Sequence, residues 1–138
     1  MPLVVRQMAD AHPGPRSTFD DPLIKCIEEC VACFQASAAC ADACMAEPDI
    51  VSLIKCIRTD LDCSDVCAAT TTILSRRTAV DLAVTRASVE ACLVSCVACA
   101  EECELHAVHH EHCRICAEVC RRCEEACRLF LAVLPISG

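Results

Sequence analysis

The cysteines of this chain fall in four runs whose internal steps are three, four or seven residues. The first run is Cys26, Cys30, Cys33, Cys40 and Cys44; the second is Cys56, Cys63 and Cys67. The third is Cys92, Cys96, Cys99 and Cys103, and the fourth is Cys113, Cys116, Cys120, Cys123 and Cys127. Steps of three and four return a side chain to the same face of an α-helix, whereas a strand repeats every two residues. All 17 Cys therefore lie on one stripe per helix. The charged pairs Glu28-Glu29, Glu101-Glu102, Arg121-Arg122 and Glu124-Glu125 miss those stripes. A bundle turns one face of each helix inward, so the sulfurs are predicted to face a shared axis. Leu, Ile and Val are left to flanking positions, between helices or between bundles.

Helix punctuation agrees with four rods. Asp20-Asp21-Pro22 opens the first, with acidic residues and Pro in the first turn, and it runs to near Ala46. Pro48 opens the second, which runs to about Ser75. Thr78 and Asp81 resemble a capping box for the third, which ends among the histidines. The fourth runs from about His110 to Leu134 and stops at Pro135. Each rod has about 25 residues, or roughly 35–40 Å. Short connections force antiparallel neighbours. The predicted fold of residues 20–138 is therefore all-α, an antiparallel up-down-up-down four-helix bundle with a Cys-lined core. Residues 1–19, which include Pro13-Gly14-Pro15, read as a flexible N-terminal arm, with Leu3 to Met8 a short apolar piece able to dock. An aromatic content of 2%, only 2 Gly and no Trp or Tyr argue against a sandwich or barrel.

Several function classes fall away. The net charge is −8 and no basic stripe is present, which speaks against nucleic acid. No apolar run is expected to approach membrane-spanning length. The first 18 residues do not read as a secretion signal, so the expected compartment is the cytoplasm, where thiols stay reduced. An odd number of Cys also fits poorly with a fully paired disulfide framework. Neither a Ser/His/Asp motif nor a Gly-rich phosphate loop is present, so the chain is not expected to be an enzyme.

Small Cys side chains leave unfilled volume, and voids in a core are costly; something is expected to occupy that space. Soft thiolates select Cu(I), Zn(II) and iron–sulfur clusters. Cys-x-x-x-Cys pairs such as Cys26/Cys30, Cys63/Cys67 and Cys116/Cys120 offer two sulfurs one turn apart, a low-coordinate arrangement that Cu(I) accepts. Structural zinc takes four ligands, which parallel stripes are not expected to supply. Iron–sulfur clusters favour looped Cys runs followed by Pro, and no Cys here precedes Pro. Exchanging a thiol proton for Cu⁺ also leaves a buried site unchanged in charge. The leading reading is storage or sequestration of multiple Cu(I) ions by thiolates inside the bundle. An iron–sulfur or thiol redox protein and a metallothionein-like zinc or cadmium buffer stay open as alternatives.

The two ends differ. One gathers Cys44, Met45, Cys103, His106, His109, His110, His112 and Cys113; the other gathers Leu74, Leu82, Phe130 and Leu134. Imidazole can pass a soft ion onward, which makes the histidine end the expected mouth, with His106, His110 and His112 facing inward. A solvated chain reversal is the competing explanation for the same cluster. Two residues interrupt the stripes: Ser37 in the first and Asp60 in the second. Asp60 is a candidate metal ligand or hydrogen-bond partner early in loading, unless it only reaches a local amide.

Taken together, the four stripes, the repeated Cys-x-x-x-Cys and Cys-x-x-Cys steps and the histidines at one end resemble the cytosolic copper storage proteins. The resemblance covers residues from about 20 to 134. It implies Cu(I) held inside the bundle, access through the histidine end and a homotetramer of bundles. It further implies the 17 Cys as ligands, with His106, His110 and His112 near the mouth. Copper ions, further copies of the chain and a copper chaperone are the candidate partners.

Overall fold

The computed structural model describes residues 2–136. Those residues hold five α-helices and no strand: α1 (Pro2–Ala11), α2 (Asp20–Met45), α3 (Ile54–Ser75), α4 (Leu82–His106) and α5 (Glu111–Val133). Helices α2 to α5 form the bundle. In it α2 packs on α3 and α5, and α4 packs on the same two. Sulfur contacts establish the antiparallel sense. Cys26 near the start of α2 meets Cys127 near the end of α5, and Cys44 at the other end of α2 meets Cys113 at the start of α5. Likewise Cys56 on α3 meets Cys103 on α4, and Cys67 meets Cys92.

The core is built in an unusual way. Every thiol is at most 2% exposed. A neutral Cys packs as a small hydrophobe, so the sulfur-lined axis of the bundle is also its apolar interior. Larger side chains pack one end: Leu74, Phe130 and Leu134 are buried, and Phe19 meets Phe130 at a tilt of 52°, with ring centroids 6.1 Å apart. Beside them Arg77 donates to Asp20 at 2.6 Å, and Arg86 donates to the Leu134 carbonyl at 2.9 Å. These bonds tie down the start of α2 and the end of α5.

Four local details depart from the sequence reading. First, the arm expected at residues 1–19 holds the helix α1, and an Arg6–Asp21 ion pair at 3.1 Å joins it to the bundle. Second, Pro48 does not start a helix. A 3₁₀ turn, Ile50–Leu53, comes first, with Asp49 accepting from the Ser52 amide and hydroxyl, and α3 begins at Ile54. Third, Thr78 lies outside α4. Asp81 is itself the cap, accepting from the amides of Ala83 at 3.0 Å and Val84 at 3.2 Å. Fourth, α4 is long and apolar enough to cross a membrane by length and composition. The expectation that no run approaches that length fails because Cys92, Cys96, Cys99 and Cys103 count as apolar beside Val and Ala. In the bundle those thiols point to the axis, while Val84, Val94 and Leu105 are exposed on the outside.

Removing an N-cap acceptor leaves first-turn amides without a partner. Asp81→Ala is therefore expected to lower stability by about 1 kcal/mol, read as a lower midpoint in thermal unfolding with unchanged helical content at low temperature.

Candidate metal centre

All seventeen Cys are free thiols. Their sulfurs run in a column along the axis, with contacting pairs 3.6 to 4.0 Å apart and the contact groups joined by sulfurs within 4.8 Å of one another. Most contacts cross between helices. Cys33 on α2 touches Cys63 at 3.6 Å, Cys120 at 3.7 Å and Cys96 at 3.8 Å, which belong to α3, α5 and α4. Contacts within a single helix are fewer: Cys63–Cys67 at 3.8 Å, Cys99–Cys103 and Cys116–Cys120 at 4.0 Å. The pairwise, one-helix arrangement anticipated for Cys-x-x-x-Cys is thus a minor feature.

The column also offers higher coordination than expected. Cys33, Cys63, Cys67 and Cys96 place four sulfurs within 4.8 Å of one another, as do Cys30, Cys92, Cys123 and Cys127, and Cys40, Cys44, Cys56 and Cys113. The stripes of a twisted bundle converge, so four thiols can surround one ion. Coordination number does not discriminate against Zn(II) here; charge does. Four thiolates around one divalent ion carry two uncompensated negative charges into a dry interior, a heavy desolvation cost repeated at each site. A monovalent ion replacing one proton per thiol carries none.

Two oxygen-bearing side chains cross the column. Ser37 lies 3.8 Å from Cys116, 3.9 Å from Cys33 and 4.0 Å from Cys120. Asp60 accepts at Oδ1 from Cys99 at 3.0 Å and from Cys103 and Cys116 at 3.5 Å, while its buried Oδ2 has no partner. It does not reach a local amide. With Cys40, Cys103 and Cys116 it makes a fourth group able to hold an ion.

At the opposite end from Phe130, the two chain reversals meet. His112, one residue into α5, points Nδ1 at Cys40 Sγ (3.4 Å) and Cys113 Sγ (3.6 Å), so it borders the outermost sulfurs. His110 places its ring nitrogens on Glu47 at 2.9 Å and Asp49 at 3.0 Å. Those two carboxylates, Asp49 foremost, hold its imidazole above the usual range. His106 bonds Glu102 at 3.0 Å on its own helix, and His109 is exposed in the turn. The geometry therefore joins only one histidine, His112, to the sulfur column. Glu47 and Asp49 belong to this end too and were not anticipated; they flank Pro48 in a connection, where no periodicity marks a role.

The sequence profile of the copper storage proteins matches residues 20–132. The chain belongs to the copper storage protein family. The copper storage protein Ccsp from Streptomyces lividans, in a structure loaded with 10 copper equivalents, is 52% identical, with a TM-score of 0.90 over 93% of this chain and 98% of that one. A cytosolic copper storage protein from the same organism, carrying five coppers, is 56% identical, with a TM-score of 0.82 over 83% and 96%. The Cu(I)-bound copper storage protein BsCsp3 is 34% identical, with a TM-score of 0.68 over 77% and 94%. No curated protein matches the chain.

In this copper storage protein, burial governs the thiols nearest the histidine end. It pushes the Cys44 thiol up to about 12 and raises Cys113 as well. Burial, reinforced by the Cys116 sulfur and opposed by the hydrogen bond from Cys99, pushes the Asp60 carboxyl up to about 8. An unfolded chain ionises that carboxyl near 3.8. Between those two values the unfolded state holds fewer protons than the folded one, so folding stability falls as pH rises. The metal-free protein is expected to lose about 2–5 kcal/mol across that window on account of Asp60. Asp60→Asn should flatten that part of the slope, as measured by chemical denaturation at a series of pH values.

Proposed function

We propose that this chain stores multiple Cu(I) ions in its sulfur column, with all seventeen Cys as ligands, and that copper passes in and out at the histidine end. Asp60 and His112 would add an oxygen and a nitrogen donor, with His106 and His110 flanking the mouth. The observation that carries the reading is the convergence of seventeen reduced, buried thiols into contact with one another on a helical frame. Helices hold the ligands in place before metal arrives, so loading replaces protons and fills space without refolding the chain. In this reading the bundle of residues 20–138 is the storing unit and α1 an appendage to it. The chain works in the cytosol, like its Streptomyces lividans relative, assembles as a homotetramer and exchanges copper with a chaperone; it is not a catalyst.

An anaerobic Cu(I) titration against a competing chelator tests this, followed by circular dichroism. Strong helicity before metal is added and a plateau at roughly one ion per Cys are expected. A plateau near one metal per four thiolates, with Zn(II) displacing Cu(I), overturns it in favour of a zinc buffer; a brown protein containing labile sulfide overturns it in favour of an iron–sulfur carrier. Stoichiometry can also be moved deliberately. Ser37 sits within 4.0 Å of Cys33, Cys116 and Cys120, so Ser37→Cys is expected to raise the plateau by about one ion.

A further inference from the structure

The histidine end contains a carboxylate that contacts no sulfur yet touches two imidazoles, His112 beside the sulfurs and His110 next to it. Glu47 Oε2 is 2.8 Å from His112 Nε2 and 2.9 Å from His110 Nδ1. The two rings stack at 5.5 Å with 28° between their planes, a pairing the shared carboxylate holds. A carboxylate only accepts hydrogen bonds, and a neutral imidazole carries its proton on one nitrogen. The nitrogen of His112 that faces Glu47 must be the donor. Its other nitrogen, Nδ1, then carries a lone pair, and that nitrogen is the one lying 3.4 Å from Cys40 Sγ and 3.6 Å from Cys113 Sγ.

We propose that Glu47 is a positioning residue for copper uptake: it fixes the Nε2–H tautomer of His112 and so aims a free Nδ1 at the outermost thiols. His110 serves the same arrangement from behind. With Glu47 on one ring nitrogen and Asp49 at 3.0 Å on the other, it turns neither nitrogen to the sulfurs and instead braces the carboxylate. The α2–α3 connection thus orients a side chain of α5 across the mouth. In metal sites such outer partners change affinity or activity by about 10–100-fold, although they never touch the ion. This proposal rests on the reading of the histidine end as the mouth.

The test has two parts. In metal-free protein with ¹⁵N-labelled histidine, the His112 signals, assigned by their loss in His112→Ala, should report a bare Nδ1 and a protonated Nε2. Glu47→Ala should mix the tautomers and Glu47→Gln, whose amide oxygen still accepts, should keep the native form. In stopped-flow transfer of Cu(I) from a chromogenic chelator, Glu47→Ala should slow the first phase by about 10-fold with the final capacity unchanged, and Glu47→Gln should recover part of the rate. A protonated Nδ1 in the native protein, or a native rate in Glu47→Ala while His112→Ala is slow, overturns the role of Glu47 alone. A native rate in His112→Ala overturns the histidine-end mouth itself, and the uptake role with it.

Discussion

A charge buried away from water must be neutralised or not form at all, and this bundle is lined from one end to the other with groups that can ionise. A buried thiol avoids that cost by keeping its proton, and gives it up without a change of charge when a monovalent cation takes its place. That balance joins folding to function. The side chains that make the apolar core of the metal-free protein are the ones proposed to hold the cargo, so the fold would need no separate cavity. Burial lifts Cys44 and Cys113 well into the range where protons are retained, which keeps the column compact before metal arrives and makes loading a proton-releasing event.

Rigid helices decide how the sulfurs are shared. Because the stripes converge at the axis, a sulfur such as that of Cys33 borders sulfurs from three other helices at once. Several thiols belong to more than one candidate site. Overlapping groups, such as the one at Cys33, Cys63, Cys67 and Cys96 and the one at Cys67, Cys92, Cys96 and Cys123, use the same atoms. Such a lining favours bridging thiolates and many ions close together over a set of isolated centres. Asp60 and Ser37 are the exceptions, placing oxygen where the sulfur sequence would otherwise be unbroken.

Most of this was legible in the spacing of one residue type. Steps of three and four put every Cys on an inward stripe, and all of them are buried. The helix ends were less legible. Asp81 turned out to be a cap and not the reply to one, because a Thr three residues ahead carries the same pattern whether or not the chain is helical there. Pro48 sits in a turn because Asp49 closes a 3₁₀ segment first. Coordination was misjudged for a geometric reason: a stripe drawn on one helix says nothing about how closely it approaches the next, so cross-helix groups could not be counted from spacing. The carboxylates Glu47 and Asp49 were invisible because they lie in a connection and act across space on residues more than sixty positions away. The length and apolarity of α4 misled in the other direction, since Cys scores as apolar wherever it faces.

Phe130, Leu74, Leu134 and the ion pair of Arg77 with Asp20 pack the far end of the column, so under the proposed reading exchange would run through the histidine end alone. A passage of that kind is a stack: the ion admitted last is the first that can be removed, and the deepest ion waits for all those above it. Retrieval would then depend on how full the protein is. A nearly full copy would yield copper promptly from just behind the histidines, whereas a nearly empty one would retain what lies beside Cys26 and Cys127. Such a store releases its surplus readily and keeps its residue.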